Sequence, residues 1–159
     1  MIRIGVSGHR RREGADWDWV RARMKETIVS IGNVCGYTSL APGADQIFAE
    51  TILEEGMRLV AVVPVCNGRA ELEIGARAEF DRLCAEAAEV IRVEGATPDE
   101  AFYEAGKKVV EASDRMIFVW DGGASRGLGG TADVVEHARA CARTGLVFDP
   151  IRLTVRDFE

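Results

Sequence analysis

Two kinds of segment alternate along the chain. Short runs that are apolar almost throughout occupy residues 2–7, 37–41, 58–65, 89–93, 115–120 and 145–148. Between them lie longer segments with apolar residues at helical spacing. The clearest is 17–31, where Trp17, Val20, Met24, Ile28 and Ile31 fall on one face. The others are 44–55, stopped by Gly56, then 76–88, 99–112 and 132–143. Thr97-Pro98-Asp99-Glu100 supplies a start signal for the fourth of these helices. The run RLVAVVPV at 58–65 lacks polar alternation, as expected of a strand covered on both faces. No element is assigned to 149–159, where Pro150 interrupts the pattern.

Strictly alternating strands and helices predict an α/β fold: a mainly parallel sheet, helices on both faces, three layers, Rossmann-like. With 159 residues and no repeat or linker, residues 1–159 are expected to form a single domain. The apolar fraction of 47% excludes a disordered chain. The formal net charge of −6 counts against a dedicated nucleic-acid binder. No apolar stretch approaches the roughly 20 residues that span a bilayer, so no membrane association is expected. Met1-Ile2-Arg3-Ile4 runs straight into the first strand, without a signal peptide. The four cysteines are scattered, no CxxC pair exists, and there are two histidines. A cytoplasmic protein with reduced thiols and no metal site is therefore expected.

In an open parallel sheet, ligands bind outside the carboxyl ends of the strands. The first such loop reads Gly8-His9-Arg10-Arg11-Arg12 and the second Pro42-Gly43-Ala44-Asp45. The loop after Trp120 runs from Asp121 through Gly127-Leu128-Gly129-Gly130-Thr131. Two of these loops lead glycine into a helix start. A helix N-terminus presents unpaired N–H groups and partial positive charge, and glycine lets a phosphate approach the backbone. Arginine adds bidentate phosphate recognition. The pattern predicts an anion or nucleotide site, without the GxGxxG or GxxxxGK[ST] fingerprints.

Ile4-Gly5-Val6-Ser7-Gly8-His9-Arg10, Gly43-Ala44-Asp45, Ser113-Asp114 and Gly127-Leu128-Gly129-Gly130-Thr131 together resemble the SLOG superfamily. That group includes DprA/Smf-like and LOG-like proteins. The resemblance runs from about Ile2 to Phe148 and implies a Rossmann-like domain that binds a nucleotide or nucleotide derivative. LOG phosphoribohydrolases carry PGGxGTxxE with a catalytic Glu. Here Val134 stands at that position, and Asp133 lies one residue earlier, about 100° around the helix. The helix before Ser113 also has Lys107 and Lys108 where those enzymes use arginine.

The expected nucleotide-binding residues are Gly8, His9, Arg10, Gly43, Ala44, Asp45, Asp121, Gly127, Gly129, Gly130 and Thr131. Arg10 would pair a phosphate and His9 a ribose or phosphate. Asp121 would accept from ribose hydroxyls or coordinate Mg²⁺ carried with the nucleotide, the one cofactor considered. The leading function is a protein that senses or carries a nucleotide derivative. One alternative is an enzyme acting on the N-glycosidic bond, either a phosphoribohydrolase or deoxyribosyltransferase-like. Its candidate carboxylates are Glu104, Asp121 and Asp133. Another alternative is a DprA-like single-stranded DNA partner. A homodimer is expected through apolar faces at 109–112 and 132–142, as in LOG-like proteins.

Overall fold

The apolar runs pair into one sheet in the computed structural model, which describes residues 1–70, 77–125 and 127–159. The strands are β1 (Ile2–Gly8), β2 (Val34–Thr38), β3 (Arg58–Cys66), β4 (Arg69–Ala70), β5 (Glu89–Glu94), β6 (Arg115–Val119), β7 (Thr144–Asp149) and β8 (Thr154–Phe158). The helices are α1 (Trp17–Ile31), α2 (Ala44–Glu54), α3 (Arg77–Glu86), α4 (Pro98–Ala112) and α5 (Thr131–Ala140). The parallel strands lie in the order β5-β3-β2-β1-β6-β7. Two antiparallel additions complete the sheet: β8 beside β7, and the two-residue β4 at the end of β3.

Strand alternation divides the core in two. Ile4, Val6, Leu59 and Val63 point toward Val20, Met24 and Ile28 of α1 and Phe48 and Ile52 of α2. Val62, Met116, Phe118 and Val147 point toward Ala105, Val109 and Val110 of α4 and Val134, Val135 and Ala138 of α5. This is the three-layer α/β arrangement expected from the sequence.

Helix starts follow their capping chemistry. The Asp16 side chain accepts from the Trp19 N–H at 2.9 Å, and Thr97 accepts from the Glu100 N–H at 3.2 Å with Pro98 at the first helical position.

Several boundaries differ from expectation. The second strand is 34–38, not 37–41. Val34 and Cys35 already pair with Ile2 and Arg3, and the strand stops when the chain turns at Leu40, with φ 60°. The Thr38 hydroxyl accepts the Leu40 N–H at 3.2 Å and closes that turn. Residues after Pro150 do form a strand: a turn carries the chain back and β8 covers the β7 edge. The expected start of the third helix at Ala76 lies outside the described residues, as does Arg126 in the loop after β6.

The faces proposed for a dimer contact are used inside the fold, since Val109, Val110, Val134, Val135 and Ala138 pack against the sheet. Among the described residues, no helix is long and apolar enough to cross a membrane.

The order of strands places the site. The chain leaves β1 toward β2 on one side and returns to β6 on the other. Between the carboxyl ends of β1 and β6 the two connections diverge, and a crevice opens.

Candidate functional site

A cleft of about 600 Å³ occupies this crevice. Its floor is formed by Gly8 at the end of β1 and Trp120 just after β6. One wall is the 9–12 loop with Ser39, Ala41 and Asp45. The other consists of residues 123–125 and 127–130, the start of α5, and Asp99, Phe102 and Gly106 of α4.

The start of α5 leaves backbone donors without a side-chain cap. Gly130 is the N-cap, with an extended backbone and no side-chain cap. Its carbonyl accepts from Asp133 at 3.1 Å and Val134 at 3.3 Å. The Thr131 and Ala132 N–H groups precede those bonds and have no acceptor within the helix. Both residues line the cleft. The positive end of the helix dipole is therefore directed at the cleft.

The 9–12 loop is held from several directions. The His9 N–H donates to the Val119 carbonyl at 3.0 Å, and the His9 carbonyl accepts from Ala44 at 3.2 Å. Gly43, with φ 89°, lets this packing occur: a Cβ there would stand 2.4 Å from the Arg10 carbonyl oxygen and 2.6 Å from that of His9. Gly43 and Ala44 thus brace the loop and do not line the cleft. The two helix starts consequently differ. The first N–H of α2 is engaged by His9, whereas α5 opens to the cleft.

Arg10 reaches across the cleft mouth, with its guanidinium carbon 3.9 Å from the Phe102 ring centroid. Such a contact contributes about 0.5–2 kcal/mol and fixes the guanidinium beside the cleft. Asp121 organises the opposite corner. Its carboxylate accepts from Arg12 Nε at 2.7 Å and from the Gly123 N–H at 2.9 Å. The Asp121 N–H donates to His9 Nε2 at 3.1 Å, tying the β1 and β6 exits together. Burial alone would raise the Asp121 carboxyl. The Arg12 and Gly123 hydrogen bonds, with the His9 ring, outweigh it and lower the pKa to about 2. Asp121 is thus a brace that stays charged at neutral pH. Coordination of Mg²⁺ through it would have to compete with Arg12 and Gly123 for the same oxygens. Among the described residues no group of three or more His, Cys, Asp or Glu side chains is arranged to hold a metal.

Asp45 has the opposite character. It is buried in the first turn of α2 and lines the cleft. One oxygen accepts from the Ala41 N–H at 3.3 Å. Burial pushes its carboxyl up to about 6, despite the Ala41 N–H and the nearby Arg10 charge.

Gly8, His9, Arg10, Asp45, Asp121, Gly127, Gly129, Gly130 and Thr131 all line the cleft. Glu104 and Asp133 do not. Glu104 lies on α4 and pairs with Lys107 at 2.6 Å. Asp133 turns back to accept the Gly129 N–H at 2.9 Å, while Ser125 Oγ accepts the Asp133 N–H at 3.1 Å. These bonds shape the loop ahead of α5. Gly130 serves the same loop: a Cβ there would meet Ser125 Oγ at 2.8 Å. Val134 is buried at the cleft wall and presents an apolar side chain there.

Sequence reasoning missed Phe102, which lines the cleft, whereas its neighbour Tyr103 does not. Adjacent helical positions differ by about 100°, and that rotation puts Phe102 in the cleft. Tyr103 packs under Lys107, with the ammonium 4.7 Å from the ring centroid. Arg12 is absent from the residues expected at the site. Its partner Asp121 lies 109 residues away in sequence, so only the topology reveals the pair.

No protein-family model and no curated protein sequence matches the chain. Solved structures do share its fold. DNA processing protein A (DprA) from Streptococcus pneumoniae aligns with TM-score 0.64 and 15% identity, over 92% of this chain and 50% of that one. DprA from Helicobacter pylori, described for its single-stranded DNA binding mode, gives 0.63 and 14%, over 92% and 64%. The molybdenum cofactor carrier protein of Chlamydomonas reinhardtii gives 0.55 and 15%, over 92% and 75%. The chain thus spans half to two thirds of the DprA proteins. The fold implied by the SLOG resemblance is the fold found. The DprA likeness gives no support to the expectation, drawn from net charge, that nucleic acid is not a partner.

Proposed function

We propose that the protein binds a phosphate-bearing nucleotide or nucleotide derivative in the cleft between the β1 and β6 exits, and senses or carries it. The observation that carries this reading is the start of α5. Two N–H groups with no helical acceptor, behind Gly129-Gly130, open into the same cleft as Arg10 and Phe102. The phosphate seats on the Thr131 and Ala132 N–H groups. Arg10 supplies charge, and the Phe102 face suits a base or ribose.

The three carboxylates expected to serve N-glycosidic chemistry are poorly suited to it, and only Asp45 in the cleft has a carboxyl raised to about 6. General acid–base work needs a group that changes protonation near the working pH. Asp121 stays ionised, Asp133 holds the Gly129 N–H, and Glu104 lies outside the cleft. Single-stranded DNA is the second reading, favoured by the fold shared with the DprA from H. pylori.

A melting-temperature panel of mononucleotides, with a single-stranded oligonucleotide as comparison, tests the proposal. At about 100 times Kd a ligand stabilises by about 2.7 kcal/mol. For a chain this size that raises Tm by about 5–10 °C. No shift with any phosphate-bearing nucleotide at millimolar concentration overturns it. A shift with the oligonucleotide alone favours the DNA reading.

A further inference from the structure

The cleft that offers backbone donors to a phosphate also holds a buried acid. Asp45, Asp99 and Asp121 all border it, and their surroundings differ. Asp121 is held by Arg12 Nε at 2.7 Å and by the Gly123 N–H at 2.9 Å. Asp99 lies exposed in the first turn of α4, where water screens its charge. Asp45 is 6% exposed. The Ala41 N–H reaches its carboxylate at 3.3 Å, which is long for a bond to an ionised acceptor. Charge on Asp45 is therefore poorly solvated, and it stands in the wall of a site for an anion.

Facing Asp45 are Arg10, from the loop after β1, and the uncharged Thr38, Ser39 and Ala41 from the end of β2 and the turn that follows. The Arg10 charge favours the ionised acid, and burial opposes it more strongly. In the nucleotide reading the same guanidinium supplies charge to the phosphate. One cation is then shared between two anions. A phosphate entering the cleft adds negative charge to the site of Asp45 and draws on the field of Arg10. Both changes favour the neutral acid. By reciprocity, ionisation of Asp45 weakens the hold on the phosphate.

We propose that anion binding in this cleft is coupled to protonation of Asp45, so that the phosphate-bearing ligand is held with Asp45 as the neutral acid. This rests on the nucleotide reading of the cleft. The proton is taken from solvent, and no covalent bond to the ligand forms. The cleft thus releases its ligand more readily as pH rises through the range in which Asp45 ionises. The other ionisable groups bordering the cleft are His9, Arg10, Arg11, Arg12, Asp99 and Asp121. Their effects, and that of the phosphate's own titration, are common to wild type and Asp45→Asn, so the difference between the two proteins belongs to Asp45.

Carbon-detected NMR of the Asp45 carboxyl, titrated with and without saturating AMP in the wild-type chain, tests the coupling directly. Without AMP the midpoint is expected near 6. AMP should raise it by about one pH unit, equivalent to about a tenfold change in affinity. Calorimetry gives the second readout. Relative to Asp45→Asn, wild type should bind AMP about equally at low pH, where both side chains are neutral, and about tenfold more weakly once Asp45 is ionised. A merely structural role for Asp45 would give a difference that does not change with pH. Circular dichroism establishes that the variant is folded, and the carboxyl titration needs no variant. If AMP binds but leaves the Asp45 midpoint unchanged or lowers it, the coupling is overturned and the nucleotide reading stands. If millimolar AMP produces neither heat nor amide shifts in the cleft, the nucleotide reading itself fails and the coupling falls with it.

Discussion

Replacing Asp45 with asparagine should stabilise the protein above pH 6 and leave it nearly unchanged only below about pH 3.8. Asp45 is 6% exposed, in the first turn of α2. Burial raises its carboxyl from 3.8 to about 6, against the opposing pull of the Ala41 N–H and the Arg10 charge. The folded state therefore prefers the neutral acid. The stability this group contributes is fully present below the unfolded value near 3.8, and is lost as pH rises through about 6. A shift of roughly two pKa units at 1.36 kcal/mol each gives a penalty of about 3 kcal/mol at pH 8. Asparagine has nearly the same shape and keeps an oxygen for the Ala41 N–H, but it cannot ionise. Urea unfolding of both proteins at pH 4.5 and pH 8 measures the difference. The expected gain for Asp45→Asn at pH 8 is between about 1 and about 3 kcal/mol, falling to about a third of that at pH 4.5. A variant less stable than wild type at pH 8 by more than at pH 4.5 would show that the ionised carboxylate supports the fold, and the burial argument would be wrong.

Asp114, Asp121 and Asp149 are shifted the other way, so their contribution should be lost only as pH falls below about 4. Circular dichroism followed from pH 7 to pH 2 should show this loss, and Arg12→Ala should move it to higher pH by freeing Asp121. Gly130→Val should disturb the 123–130 loop as well as ligand binding, because its Cβ would enter the space of Ser125; Gly130→Ala combined with Ser125→Gly should recover more of the wild-type melting temperature than Gly130→Ala alone. Incubation of AMP with the protein should release no free adenine by chromatography; catalytic release abolished by Asp45→Asn would establish turnover and make Asp45 its acid–base group. Arg10→Ala should weaken nucleotide binding by about 10- to 150-fold, from loss of one charge-assisted contact of about 1.5–3 kcal/mol, and calorimetry in low and high salt should show a shallower salt dependence for the variant.

The architecture was legible because burial dictates pattern. A strand covered on both faces must read like 58–65, and a helix with one covered face must space its apolar residues like Val20, Met24 and Ile28. The ends were less legible. Whether the second strand starts at 34 or 37 depends on its partner β1, and the β8 edge depends on a turn after Pro150 that brings the chain back to β7. In the site, the glycine-rich loops and the chemistry of their helix starts could be read from residue types. Which helix start faces the cleft could not, because that depends on the His9 carbonyl engaging α2. Asp133 and Asp121 are both acids near strand or helix ends in a glycine-rich segment. Only the fold shows that one closes a loop and the other joins Arg12 and His9 across the sheet.

Titration of AMP into isotopically labelled protein, followed through backbone amide resonances, tests the central claim most directly because it reports place as well as binding. The account predicts the largest shifts at Thr131, Ala132 and the 9–12 loop, with smaller ones at Phe102 and the Trp120 indole. Absence of shifts at these positions at millimolar AMP, or shifts gathered at the amino ends of the strands, would contradict it.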